Sequence, residues 1–569
     1  MAEVFRIEGS ITGLVSAPRD PEHLYVLFQT GIVARYHKKL NNFDGILIDL
    51  SPKIKDLLEA KPKQSKFADE RGLLGLIFHP EYNLAGSPFS DTYIVAYSEM
   101  ADPRFYPDPG FEPDHMTSLI QVTNGKRKYI INIPEPQFNH NGGAMAFDSK
   151  NYLYLGTGDG GGQNDEHGPL IDPNDPDSYL GFAQDLQSLL GKILRFELSP
   201  DPNIPYKIPQ ENSFDDLIVQ WGFRNPWSFH MTSDGWLFVG DVGQNRFESV
   251  KLVDTHSIHV AYGDRIPRSN HGWRAIEGRE IFNQSVYEYV TKPGGYTDLG
   301  QNIELPIVHY PRDVGIAITG VHFKNDRLLI VDYKGTIIEA KPDWENLRRP
   351  WEYQIIKKIN HMIHRLGVDQ NDDDRLYVLA YDSKKKQSII YSLEKLLADE
   401  KEKETLREDD IKRIIQQGIE TAKQTKSGLR ENGSPVKMHF SIVKKGEEEA
   451  KLIHSMPDAW AGSVDISKRK AYTAMAFSSN ENALTTRTIG ILSQPRMPLW
   501  QIGNSNPIGG IIEFPGGLPL YKNGQLVGGL GVSGDGVDQD EIVAIGAAKG
   551  FEPPSSIRSD ITAGFAYTI

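Results

Sequence analysis

Six short stretches between the N-terminus and about residue 395 share one design: aromatic and branched residues in a run of strand length, closed by Gly, Asp or Ser and often followed by another strand. They are Leu24-Tyr25-Val26-Leu27-Phe28, Tyr93-Ile94-Val95-Ala96-Tyr97, Tyr152-Leu153-Tyr154-Leu155-Gly156, Trp236-Leu237-Phe238-Val239-Gly240, Leu328-Leu329-Ile330-Val331-Asp332 and Leu376-Tyr377-Val378-Leu379-Ala380. Their spacing, roughly 50 to 90 residues, suits four-stranded blades with loop insertions. A mainly β chain built on a propeller of about six blades is the economical reading, and two unrelated β-sandwiches are the alternative. The 53 Gly and 35 Pro favour such a strand-and-turn fold over a helical bundle.

At 569 residues the chain exceeds one ordinary core, so a further domain is expected. Composition turns to Glu, Lys and Asp at 398–404, a solvated linker or helix start, which places a boundary region at 396–410. Thr405-Leu406-Arg407-Glu408 has capping-box form, and Ile411, Ile414, Ile415, Ile419 and Ala422 recur at helical spacing. Strand-like and helix-like segments then alternate to about residue 550, which predicts a smaller α+β domain over 411–550. Residues 551–569 read as a frayed terminus or an arm reaching a neighbouring subunit.

A net charge of -14 disfavours a nucleic-acid surface, and the absence of Cys rules out disulfides, thiolate zinc sites and cysteine nucleophiles. The first residues carry acids and no apolar run of signal-peptide length, and no segment has the roughly 18 apolar residues of a membrane span. The sequence therefore reads as soluble and unaddressed, cytoplasmic or particle-associated, with no membrane partner.

The chemistry concentrates at residues 138–165. Phe138-Asn139-His140-Asn141-Gly142-Gly143 enters a short strand, a turn at 148–151 reverses the chain, and a second strand runs into Gly158-Asp159-Gly160-Gly161. That hairpin brings His140 and Asp159 towards one sheet edge, where a carboxylate could orient an imidazole as a base for a substrate hydroxyl. A hydrogen-bonded turn histidine is the competing reading. The acidic-amide runs 159–165 and 172–177 supply the hard oxygen ligands calcium takes, without EF-hand spacing.

Several strings then occur in order: Asp69-Glu70-Arg71-Gly72-Leu73-Leu74-Gly75, Asn139-His140-Asn141-Gly142-Gly143, Gly158-Asp159-Gly160-Gly161, Gln184-Asp185-Leu186-Gln187-Ser188-Leu189-Leu190-Gly191-Lys192, Trp221-Gly222-Phe223-Arg224-Asn225-Pro226-Trp227 and Asn270-His271-Gly272-Trp273-Arg274. Over about residues 8–395 the chain resembles the glucose/sorbosone dehydrogenase family, the soluble quinoprotein sugar dehydrogenases and their hedgehog-interacting-protein-like relatives. The resemblance implies a six-bladed propeller over 1–395 that oxidises an aldose or related sugar with pyrroloquinoline quinone (PQQ) and calcium. It casts His140 as general base, Asp159 as its orienter and Arg224 as the holder of the developing alkoxide. It makes Glu70, Asn225, Lys334 and Arg365 quinone contacts, and the backbone carbonyls of Val242 and Gly243 calcium ligands.

Two departures stand out. Active relatives pair two close arginines with quinone carboxylates where this chain has Arg365 alone, a difference of roughly 1.5 to 3 kcal/mol. Glu70 stands where a neutral amide would suit an anionic cofactor better. From about residue 408 to 549 the chain resembles HbpS-like or GlcG-like α+β domains, through Met456-Pro457-Asp458-Ala459-Trp460, Phe514-Pro515-Gly516-Gly517-Leu518-Pro519 and Val532-Ser533-Gly534-Asp535-Gly536. That resemblance implies a homo-oligomer and, in some relatives, haem, for which His454 is the candidate ligand. Two other functions therefore stand beside the oxidoreductase: a degenerate propeller serving as a structural component of a virion or other particle, and a haem or tetrapyrrole binder.

Overall fold

The computed structural model describes residues 2–60, 69–105, 111–175, 177–212, 216–256, 258–260, 263–265, 268–292, 303–346, 349–397, 405–431, 433–502 and 510–569. The charged run 398–404 lies outside the described residues. The chain divides into two units, Met1–Leu396 and Leu397–Ile569.

Unit one is built of antiparallel sheets. Leu73–Phe78, Thr92–Glu99, His115–Thr123 and Lys126–Glu135 form one. Met145–Phe147, Leu153–Gly156, Lys192–Phe196 and Ile218–Trp221 form the next, extended by the short parallel strand Ser269–Asn270. Pro226–Met231, Trp236–Asp241, Phe247–Asp254 and Val308–Pro311 form another, and Ile318–Lys324, Arg327–Asp332, Thr336–Ala340 and Tyr353–Lys358 a further one. An eight-stranded sheet joins Ile11–Val15, His23–Phe28, Ile32–His37 and Asn42–Asp49 to Met362–Asp369, Arg375–Asp382 and Gln387–Ser392 through a single parallel pairing of Val15 with Val368.

The first strands of these groups follow one another in space, Ile11–Val15, Leu73–Phe78, Met145–Phe147, Pro226–Met231, Ile318–Lys324, Met362–Asp369, and back to Ile11–Val15. This is a β-propeller-like ring with a central channel. The N-terminal strand Glu3–Glu8 closes it by pairing with Gln387–Ser392, Glu8 opposite Gln387. Each of the six recurring stretches is the second strand of its group. That strand is hydrogen-bonded on both edges and sandwiched between neighbouring sheets, so it reads as a near-continuous apolar run; Leu153–Gly156 is buried at every position.

In unit two the sheet order is Lys451–Ser455, His439–Lys444, Gln525–Ser533, Gly517–Lys522, all antiparallel. Helix Glu408–Gln424 buries Ile411, Ile414, Ile415 and Ala422 against a core that includes Phe440, Leu530 and Val543. Its cap lies two residues beyond the expected one. Arg407 N donates to Asp410 Oδ2 at 3.1 Å, because Asp410 is also held by Lys522 Nζ at 2.6 Å. The tail read as frayed is docked instead: Phe551 is 1% exposed, Thr485 Oγ1 donates to the Tyr567 carbonyl at 2.5 Å, and Ile569 N donates to Glu541. Two buried aromatics anchor it. No helix among the described residues is long and apolar enough to cross a membrane.

Candidate functional site

His140 sits in the loop before strand Met145–Phe147, and Asp159 in the loop after its antiparallel partner Leu153–Gly156. The two loops touch along their backbones. A Cβ at Gly158 would lie 1.7 Å from the His140 carbonyl, so only glycine lets the second loop pass. The result is His140 Nδ1 at 2.6 Å from Asp159 Oδ1, with His140 5% exposed and Asp159 fully buried.

The carboxylate accepts at both oxygens. Asp159 Oδ1 also takes the Gly161 N–H at 2.9 Å, and Oδ2 takes Trp273 Nε1 at 2.7 Å. A carboxylate only accepts, so Nδ1 is the donor in this pair and Nε2 is the ring nitrogen left to other contacts, the orientation a histidine base requires. His140 itself is held in the left-handed region, φ +57°, while its N–H donates to Glu70 Oε2 at 2.8 Å.

Glu70 Oε2 also accepts from Asn225 Nδ2 at 3.2 Å, and Asn225 Oδ1 accepts from Gly142 N at 3.2 Å. Arg224 and Asn225 are placed by one buried carboxylate: Asp241 Oδ1 accepts from both backbone amides, at 3.1 and 2.9 Å, and burial pushes Asp241 up to about 6. The Arg224 guanidinium lies 5.6 Å from the Trp273 ring centroid and donates to the Val242 carbonyl at 3.3 Å and to Gln244 Oε1. The Arg224 carbonyl in turn accepts from Asp159 N at 2.8 Å. The expected residues Glu70, His140, Asp159, Arg224 and Asn225 are thus one connected group.

Lys334 makes no hydrogen bond to this group among the described residues. It is exposed, and its Nζ donates to the carbonyls of Arg312 and Asp313 at 3.1 and 2.6 Å. Arg365 does not join the group, because it lies in the central channel and donates to the carbonyls of Leu74 and Trp227 at 3.1 and 2.6 Å.

Three contributors escaped the sequence reading. Trp273 and Asp241 are two of them. The third is a buried chain behind His140: Asn141 Nδ2 donates to His115 Nε2 at 3.1 Å, and His115 Nδ1 faces Asp114 Oδ2 at 3.0 Å. Burial holds the His115 imidazole below its ordinary range, as a neutral ring that accepts on Nε2 and donates from Nδ1 requires. Trp273 belonged to a string visible in the sequence, but its partner is 114 residues away.

These features define a β-propeller-like unit carrying an oriented imidazole and a fixed guanidinium on its loops, followed by a smaller α+β unit. The chain belongs to the Glucose / Sorbosone dehydrogenase family, which residues 48–390 match, and residues 406–549 carry a domain of the kind described as haem degrading protein HbpS-like. The HIPL1 protein of Arabidopsis thaliana is 26% identical over 352 residues, covering 53% of this chain and 46% of that protein. The chain therefore spans less than half the length of this plant relative. An uncharacterized 15.0 kDa protein encoded in the dhaT-dhaS intergenic region of Citrobacter freundii is 37% identical over 105 residues, 18% of this chain and 69% of that protein. A solved structure of the PQQ-bound form of aldose sugar dehydrogenase from Streptomyces coelicolor is 16% identical, covers 68% of this chain and 95% of that one, and superposes with a TM-score of 0.46.

An anionic quinone such as PQQ would find its match in Arg224, against the carboxylates of Glu70 and Asp159 in the same group. Arg224 Nε is buried without a partner among the described residues, and the groups that accept from its guanidinium are a carbonyl and an amide, neither charged. Calcium does not fit at the expected carbonyls. Val242 O accepts from Arg224, and Gly243 O accepts from Arg312 Nη2 at 2.8 Å, so two guanidinium groups already crowd the position a dication would need. The acidic runs are spent as well: Asp165 accepts from the amides of Phe182 and Ala183, and Asp172 and Asp175 cap their own turns. Among the described residues no group of three or more His, Asp or Glu could hold a metal ion.

Proposed function

We propose that the N-terminal unit is an oxidoreductase that oxidises an aldose or related sugar at its anomeric carbon, with PQQ as electron acceptor. The observation that carries this reading is the His140–Asp159–Trp273 chain, which orients one imidazole through Nδ1, together with the Arg224 guanidinium that lies over the same Trp273 ring and has no carboxylate among its hydrogen-bond partners in the described residues. When bound, PQQ supplies an electrophilic carbonyl carbon that accepts the hydride.

The chain's own residues do the rest. His140 Nε2 takes the proton of the anomeric hydroxyl as its C–H bond breaks, and Asp159 balances the imidazolium charge that forms. Arg224 faces the oxygen on which negative charge develops, its plane kept by Trp273 and its backbone by Asp241. The sugar loses two electrons and two hydrogens in all, the hydride to the quinone and the proton to His140, and leaves as a lactone. Asn225 and Lys334 would hold the quinone, with Glu70 fixing the His140 loop.

The C-terminal unit supports a homo-oligomer in this reading. Ile542 and Ile545, one turn apart on helix Val537–Ala547, are 40% and 39% exposed, and Trp460 and Trp500 are 44% and 56% exposed. The test is dye reduction by the full chain with PQQ across an aldose panel, run beside sedimentation velocity. Turnover with an assembled protein is expected. Assembly without turnover on any sugar, with PQQ bound, would favour the structural reading instead.

A further inference from the structure

The central channel holds a cavity of about 130 Å³ that none of His140, Asp159, Arg224 or Glu70 lines. Its wall comes mostly from the first strands of the ring and is apolar apart from a few groups: Arg365, His322, His230, Trp227 and Ser228. No acidic side chain lines it.

These polar groups are under-satisfied in a consistent way. The Arg365 guanidinium uses two backbone carbonyls and leaves Nε buried without a partner among the described residues. Both ring nitrogens of His322, 2% exposed, and Trp227 Nε1 lack partners in the same sense. The groups also lie together: the Arg365 guanidinium is 5.1 Å from the Trp227 ring centroid, and the His230 and His322 rings are 4.2 Å apart. The Ser228 hydroxyl accepts from Val321 N, which leaves its own O–H to donate. Burial lowers Arg365 to about 10, which leaves it charged at neutral pH. A buried cation with only neutral acceptors, in a cavity whose wall also carries unpartnered N–H groups, is stabilised when something of opposite charge joins it.

We propose that this channel cavity is a binding site for a small monovalent anion, a halide or a short carboxylate, held by Arg365 with hydrogen bonds from His322 and Trp227. The volume far exceeds the roughly 10–15 Å³ that one water needs, so the anion and companion waters both fit. A single cation and no acid in the lining match one negative charge. The proposal does not depend on sugar oxidation.

The test uses the full chain without PQQ, followed by thermal unfolding as sodium bromide or sodium acetate replaces sodium isethionate at constant ionic strength. A saturable rise in Tm is expected with at least one of the two, and the tighter one identifies halide or carboxylate as the better fit. Arg365→Gln should abolish the saturable rise. His322→Phe should weaken the apparent affinity by about tenfold, the worth of one hydrogen bond, and it serves alone if the arginine variant does not fold. Equal Tm in all three salts for the unaltered chain would mean that water alone fills the cavity and would overturn the proposal. So would unchanged anion affinity in either folded variant.

Discussion

Trp273 Nε1 donates to Asp159 Oδ2 at 2.7 Å, so the carboxylate that holds the His140 imidazole on one oxygen is pinned through the other. The same indole ring lies beside the Arg224 guanidinium. One aromatic residue therefore couples the proposed base to the proposed charge stabiliser. Removing its N–H while keeping the ring, as in Trp273→Phe, should lower kcat by about tenfold or more, the worth of a hydrogen bond to a charged group, with KM little changed. Asp159→Asn should cost about 10²–10⁴-fold, because an amide can offer His140 a donor and invert its tautomer. Steady-state kinetics on the two variants would show this, and equal activity in all three proteins would remove the orienting role.

Glu70 holds the His140 loop and would oppose an anionic cofactor. Its Oε2 accepts from His140 N and Asn225 Nδ2, which one amide oxygen can also do. Glu70→Gln should keep the loop and remove a negative charge beside an anionic quinone, tightening PQQ binding by about fivefold, roughly 1 kcal/mol. Glu70→Ala should instead lower Tm, since a buried N–H left unmade costs about 1–3 kcal/mol. Calorimetric titration with PQQ separates the two, and weaker binding in the Gln variant would contradict the charge argument.

Chelation is the next test. With Val242 O and Gly243 O already accepting from Arg224 and Arg312, a calcium chelator such as EGTA should leave the Tm of the purified chain unchanged. A fall in Tm reversed by calcium would show that the two arginines move aside for the metal.

His79 gives a pH dependence. It is 1% exposed, stacks on Phe89 at 4.1 Å, and its Nδ1 accepts from Glu81 N at 3.1 Å. Burial holds it down at about 4, against an ordinary 6.5. Below pH 6.5 the unfolded chain takes up a proton that the folded chain refuses until about pH 4. Stability contributed by the neutral ring is full above that window and declines as pH falls through it, by up to about 1.4 kcal/mol per pH unit. His79→Asn, which keeps an acceptor and does not titrate, should lessen the fall of Tm between pH 6.5 and 4 by one group's share, since His230 and His322 are held low by burial as well. An unchanged slope would assign the acid sensitivity elsewhere.

Much of this architecture was legible because burial writes itself into composition. A strand bonded on both edges and covered on both faces has nowhere to place a polar residue, so the second strand of each group, such as Tyr93 to Tyr97, stood out. The His140–Asp159 pair was legible because one hairpin joins its members. The remaining site residues were not, since Trp273 meets Asp159 from another loop, and nothing in a one-dimensional string says which indole closes which carboxylate. Arg365 shows the converse. A motif placed it near the quinone, but its strand directs it into the channel, where its partners are backbone carbonyls that no sequence displays.

The central claim is that His140 Nε2 accepts the sugar's hydroxyl proton during oxidation. Stopped-flow absorbance of the PQQ-loaded chain, mixed with an aldose, follows the bound quinone directly in a single turnover. The account predicts bleaching on mixing, at a rate that falls by at least about 10²-fold in His140→Gln while PQQ affinity holds. Bleaching at an equal rate in both proteins, or none in the unaltered chain across the aldose panel, would contradict it.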